Sequence, residues 1–183
     1  MTERRRRVAF VVLVALQLAA LLGLIGWRLY LLRTGQTVLL RCEPVDPRSI
    51  LSGDYVELNY TVSRFSRGQL AALGRKDDVF REHETVYVAL ERPAGERFHR
   101  AVAISRDLNE LRQRHPIVLR GVVVGFWGEL RLRYGVEHYF VPQNEGPRIE
   151  RRMREASVEL AVGASGESAI RRLFLGGEEV RFY

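Results

Sequence analysis

One cysteine and one lysine stand among 183 residues, and both scarcities exclude chemistry. With Cys42 alone, no disulfide can close within the chain and no cysteine-based metal centre can form. A lone thiol either pairs between chains or packs as a small apolar group, and burial is the commoner fate. Lys76 sits in "GRKDD", where two aspartates favour its charged form. A serine–lysine hydrolase needs a neutral amine beside its serine, so that chemistry lacks its base. The four histidines, His83, His99, His115 and His138, show no HxH or HExxH spacing. In "EHE", Glu82 and Glu84 share one side of an extended chain and His83 takes the other, and Glu137 and His138 diverge in the same way. No metal site and no cofactor is therefore expected. The scattered glycines form neither a phosphate-binding loop nor a dinucleotide fingerprint.

The net charge of +7 is also less informative than its size suggests. Arg4 to Arg7 supply much of it, and elsewhere acid and base alternate, as in "RKDD" and "REHE". A nucleic-acid surface would show a basic stripe with interleaved aromatics, and none is present. The four arginines precede "VAFVVLVALQLAALLGLIGW", residues 8–27, in which Gln17 is the only polar interruption. About 20 apolar residues in helix span about 30 Å, the thickness of bilayer hydrocarbon. A core helix of a soluble protein is seldom apolar all round. A cleaved signal peptide shares the basic start, but its apolar core is shorter and ends at a small-residue site that this run lacks. The reading is a retained anchor over 8–30, after a cytoplasmic tail 1–7. Trp27 and Tyr30 sit at the outer interface, and the excess of arginine places the N-terminus inside. Residues 31–183 are then expected to form one periplasmic domain on the far side of the cell inner membrane.

That domain reads as β-rich. Strand patterns occupy 37–42, 54–62, 85–91 and 98–105, a hairpin spans 117–135 with its turn near Trp127-Gly128, and "HYFV" precedes the loop "PQNEGP". Short helices are predicted around Gln69–Leu73 ended by Gly74, over 107–115 with Asp107 as cap, and from Pro147 with Ile149, Met153 and Ala156 on its apolar side. Two or three strands close the chain. The fold class is a mainly β, α+β single domain behind one transmembrane helix.

Within it, "SGDYVELNYTV" combines a turn with an alternating strand. Gly53 supplies unusual backbone conformations, and the Asp54 carboxylate can bond the turn's amides. Val56, Leu58, Tyr60 and Val62 then face a core, while Tyr55, Glu57, Asn59 and Thr61 face away. Gly53, Asp54, Tyr55, Leu58 and Tyr60 together resemble the motif of the GDYxxLxY family of membrane-anchored bacterial proteins. A second block, with Tyr134, Gly135, Glu137, Tyr139, Phe140, Pro142, Gly146 and Glu150, is similar to that family as well. The tail "AIRRLFLGGEEV" resembles its closing hairpin. The resemblance implies no assigned activity, and it implies a multi-pass membrane protein as a partner.

A Gly-Asp turn also enters a strand in signal peptidases, but that alignment puts Val45 in the serine's place, with Ser49 and Ser52 off register. The expected role is a non-enzymatic binding or assembly module. Its contacts are the lipid bilayer and a membrane or envelope partner, met through Tyr55, Glu57, Asn59 and the "EHYFVPQNEG" loop. The alternative is an envelope hydrolase or ligand-processing enzyme pairing Asp54 with a second carboxylate among Asp46, Glu57, Glu137 and Glu150. Against it, Asp54 is read as fixing its turn, Glu137 as bonding across the sheet, and Glu150 as facing solvent or an arginine. Oligomeric state is open.

Overall fold

A computed structural model describes residues 3–43, 55–75, 79–126, 128–143 and 145–182, with backbone alone at 147 and 150. The apolar run lies in a single helix, α1 (Glu3–Thr34), long and apolar enough by length and composition to cross a membrane. Its side chains from Val8 to Tyr30 are exposed, and burial begins only at Leu31. There the helix meets the domain. Leu31 packs on Ala161 and Ala169, and Arg28 Nη1 donates to the Ser168 carbonyl at 2.8 Å. Arg171 closes the junction: Nε donates to Leu32 O at 2.9 Å, Nη2 to Gly35 O at 2.8 Å, and Nη1 to the Thr37 hydroxyl. A guanidinium there satisfies terminal carbonyls and complements the negative end of the helix dipole. Gly35 fits because a Cβ would stand 2.7 Å from Leu31 O and 3.0 Å from Ala161 Cβ.

From this junction β1 (Gln36–Glu43) enters the domain, followed by β2 (Tyr55–Glu57), β3 (Asn59–Tyr60), β4 (Arg64–Ser66), α2 (Arg67–Ala72), β5 (Thr85–Glu91) and β6 (Arg100–Ser105). The chain continues through α3 (Leu108–Arg112), β7 (Val118–Phe126), β8 (Glu129–Arg133), β9 (His138–Phe140), α4 (Gly146–Arg151), a 3-10 turn (Met153–Glu155), β10 (Ala156–Val162), β11 (Ser168–Leu175) and β12 (Glu178–Glu179). One antiparallel sheet has the order β12-β11-β10-β1-β3, a second has β4-β8-β7-β5-β6, and β2 and β9 form a separate ribbon. The two sheets enclose one core, with Val38, Leu40, Val158, Leu160 and Leu173 facing Val86, Val88, Leu90, Leu119 and Leu130. The β-rich class and the leading apolar helix thus hold.

The short helices follow local chemistry. Ser66 caps α2 with a full capping box to Gln69, Asp107 caps α3 through Asn109 N, and Gly74 leaves α2 at φ 74°. Ile149, Met153 and Ala156 are all buried, but the helix expected to carry them stops at Arg151, with Met153 in the 3-10 turn and Ala156 opening β10. Residues 54–62, expected as one strand, instead divide. β2 pairs with β9, whereas β3 pairs with β1 through Cys42↔Tyr60 and Glu43↔Asn59. Leu58 between them donates its N–H to Glu137 O at 2.6 Å. Alternation survives the change of partner because side-chain direction depends on the extended backbone and not on which neighbour bonds it.

His99 ties the β5–β6 connection to β1 in an unusual way. Its backbone N–H donates to Leu39 O at 2.9 Å, and its ring Nδ1 accepts from Leu39 N at 3.1 Å. The side chain thereby takes the place of a strand carbonyl, which requires a neutral ring. Burial, the larger cause, and nearby Arg92 hold the imidazole below its usual value, against the opposing Leu39 backbone bond. The unfolded chain therefore binds this proton more readily, so the contribution to stability is complete above about pH 6.5 and declines as pH falls below it. We expect the thermal midpoint to drop between pH 7.5 and 5.5, and the drop to shrink in His99→Gln, whose amide oxygen can accept from Leu39 N at any pH. An unchanged slope in the variant, read by circular dichroism, would remove His99 from this role.

Candidate functional site

The two sequence blocks meet in space. Tyr55, Val56 and Glu57 of β2 lie opposite Phe140, Tyr139 and His138 of β9. Beneath this ribbon, two tyrosines hold the blocks together reciprocally. Tyr60 hydroxyl donates to Val136 O, and Tyr134 hydroxyl donates to Val62 O. Each ring is buried, Tyr60 at 0% exposure and Tyr134 at 7%. Burial raises both phenol pKa values well above the ordinary range; for Tyr60 the charges of Cys42 and Glu137 add to it, and for Tyr134 that of Glu137. Both hydroxyls accordingly remain protonated and keep their donors.

Glu137 lies between the two tyrosines' contacts and serves a turn. Its carboxylate accepts from Tyr134 N through Oε1 and from Gly135 N through Oε2, the latter at 2.9 Å. Gly135 at φ 78° turns the chain so that both amides converge. The cross-sheet bond expected of this side chain is therefore replaced by a local one. Geometry explains it, since the turn brings two amides within reach of one carboxylate three residues along. Cys42, opposite Tyr60, is buried and its thiol is pushed up to about 12 by desolvation, so it is a packing group, not a reactive thiolate.

The outward face of the ribbon differs in character. Tyr55 and Glu57 project to the same side as His138 and Phe140. The Tyr55 ring meets His138 edge-on at 4.9 Å between centroids and Phe140 at 6.4 Å. Phe140 is 76% exposed, a large apolar ring displayed on a well-supported strand. On the inward face Val56 is fully buried, and half-buried Tyr139 packs near Phe182 at 6.4 Å. Asn59 lies elsewhere: it is half-buried on β3, beside Glu43 of β1, and does not join the aromatic cluster. Pro142 is exposed in the loop after β9, and Gly146 is buried at the start of α4, which packs on β2. Gly53, Asp54, Asp46, Ser49, Ser52, Lys76 and Trp127, and the side chain of Glu150, lie outside the described residues.

The hydrolase alternative needs a free carboxylate beside Asp54, and Glu137 is already occupied by two amides. Among the described residues, no three metal-ligating side chains gather. Glu84 in particular is engaged with Arg81 N and Arg106. Sequence reading missed Val62, Val136 and Phe182 as members of this site. Two of them act through backbone carbonyls, which no residue type reports, and the third arrives from the far end of the chain.

The model of the GDYXXLXY protein family matches residues 17–173. The chain belongs to the GDYXXLXY family. That span contains the end of α1, both tyrosines and nearly all of the two sheets. No curated protein and no solved structure matches it. In this GDYXXLXY protein the last two lettered positions of the motif, Leu58 and Tyr60, are both fully buried, whereas Tyr55 is half-buried and reaches the surface.

Proposed function

We propose that this protein is a single-pass membrane protein whose periplasmic β domain binds an integral membrane or envelope protein through the outer face of the β2–β9 ribbon. Support for the anchor comes from α1, and support for its orientation comes from Arg4 to Arg7 at the cytoplasmic end. The observation that carries the binding role is Phe140. A solvated phenylalanine beside Tyr55 and His138 is the composition of an interface anchor, and aromatic residues dominate interface hot spots. The tyrosine clasp beneath it keeps the ribbon in place before any partner arrives, which lowers the entropy lost on association.

A photoreactive residue at Tyr55, activated in living membranes, should crosslink a discrete partner, and Phe140→Ala should reduce that product several-fold. Because Phe140 is exposed, the substitution should move stability by no more than about 0.5 kcal/mol. Absence of any crosslinked product from a correctly inserted protein would count decisively against this reading.

A further inference from the structure

A concave site, which shares no residue with the ribbon, opens between the two sheets. This cleft, about 810 Å³, has Leu39 of β1, Ile117 ahead of β7 and Phe174 of β11 among its apolar lining, with Arg92, Arg97 and His99 on the β5–β6 connection. Leu39, Ile117 and Phe174 are each only half-buried, so apolar surface is left open. The charges along the cleft are unequally satisfied. Glu91 is bonded to His115 at 2.8 Å, and Glu159 is paired with Arg172 at 3.9 Å. Arg92 and Arg97 have no carboxylate partner among the described residues, and the Arg97 guanidinium stands beside the turn at Gly177.

His99 adds a directed donor. It is 7% exposed; its Nδ1 stands 3.1 Å from Leu39 N and 3.4 Å from Leu39 O, and in the tautomer that accepts the shorter bond the ring proton is on Nε2. That nitrogen has no hydrogen-bond partner among the described residues, and His99 is one of the residues that line the cleft. A fixed N–H and two guanidiniums without counter-ions therefore border one apolar floor. Neutral ligands would leave these cations unmatched, whereas an oxyanion accepts from all three. Thr37, also at the cleft, lies three residues beyond the end of α1, within about 10 Å of it along an extended chain.

We propose that this cleft binds a phosphate-bearing amphiphile, with the phosphate held by Arg92, Arg97 and the Nε2–H of His99 and the apolar part lying over Leu39, Ile117 and Phe174. The site is independent of the ribbon and of whatever binds there. Its nearness to the end of α1 favours a phospholipid as the source, and a free phosphate shares the same recognition chemistry.

The full chain in an uncharged detergent, labelled with nitrogen-15 at histidine, provides the test. Titration with dioctanoyl phosphatidylglycerol should move the His99 ring resonance to saturation. Arg92→Gln with Arg97→Gln should weaken that response by roughly tenfold while leaving the folding midpoint unchanged. Inorganic phosphate that saturates the same resonance at the same concentration would support the site and assign it to a soluble anion. An unmoved resonance with both ligands would overturn the proposal. So would equal binding of dioctanoylglycerol, which has the same acyl chains and no phosphate, or a double variant that binds as the parent does.

Discussion

Tyr60→Phe is expected to lower stability by about 1–3 kcal/mol, the cost of leaving a buried carbonyl without its donor. The ring is retained, so no cavity forms and the loss reports the hydroxyl alone. Val136 O has no water to turn to, since Tyr60 fills that space at 0% exposure. Tyr134→Phe should cost a similar amount through Val62 O. Because the two hydroxyls hold the same pair of segments, their effects should not add. A coupling energy above about 0.5 kcal/mol in the double variant is the signature of contacts that share partners. At this chain length each kcal/mol corresponds to about 2–4 °C in Tm, so thermal scans suffice. Additive single losses would show that the two bonds are separate, and that no joint clasp exists.

Removal of the Glu137 carboxylate should cost more. Glu137→Ala leaves the amides of Tyr134 and Gly135 without acceptors, and at about 1–3 kcal/mol for each unmet group the total reaches about 2–6 kcal/mol. Glu137→Gln separates this account from a catalytic one. A glutamine has one acceptor oxygen and one amide nitrogen, so only one of the two bonds survives and an intermediate loss is expected. Wild-type stability in Glu137→Gln would mean that the carboxylate does not hold the turn, and the acid–base alternative would regain its candidate. The ribbon should loosen with the turn, so crosslinking from Tyr55 should weaken in Glu137→Ala as well.

Particular residues show how far local pattern carries. Alternation from Val56 to Val62 correctly separated inward from outward side chains, because an extended backbone alone sets that direction. The cap at Asp107 and the bend at Gly74 were legible for the same reason, each being settled within four residues. Strand partnership was not. Nothing in "YVELNY" reports that Tyr55 pairs with Phe140 while Tyr60 pairs with Cys42, since backbone bonds are the same for every residue type. Glu137 was singled out but given the wrong partners, because a carboxylate's amide donors depend on the local turn at Gly135. The clasp itself uses two carbonyls and is invisible to composition. His99 read as one unremarkable histidine among four, although it completes β1.

By itself, then, the order of residues determined the apolar helix, the β-rich class, the family, and which motif side chains face inward, all consequences of hydrophobicity and short-range geometry. Only the tertiary structure decided that the two blocks clasp one another, that Phe140 joins Tyr55 and His138 at the surface, and that arginines from one connection border a cleft made by both sheets. The reason is distance along the chain. Val62 and Tyr134, or Leu39 and His99, are brought together by burial of a shared core, and that juxtaposition exists only once the two sheets have closed on each other.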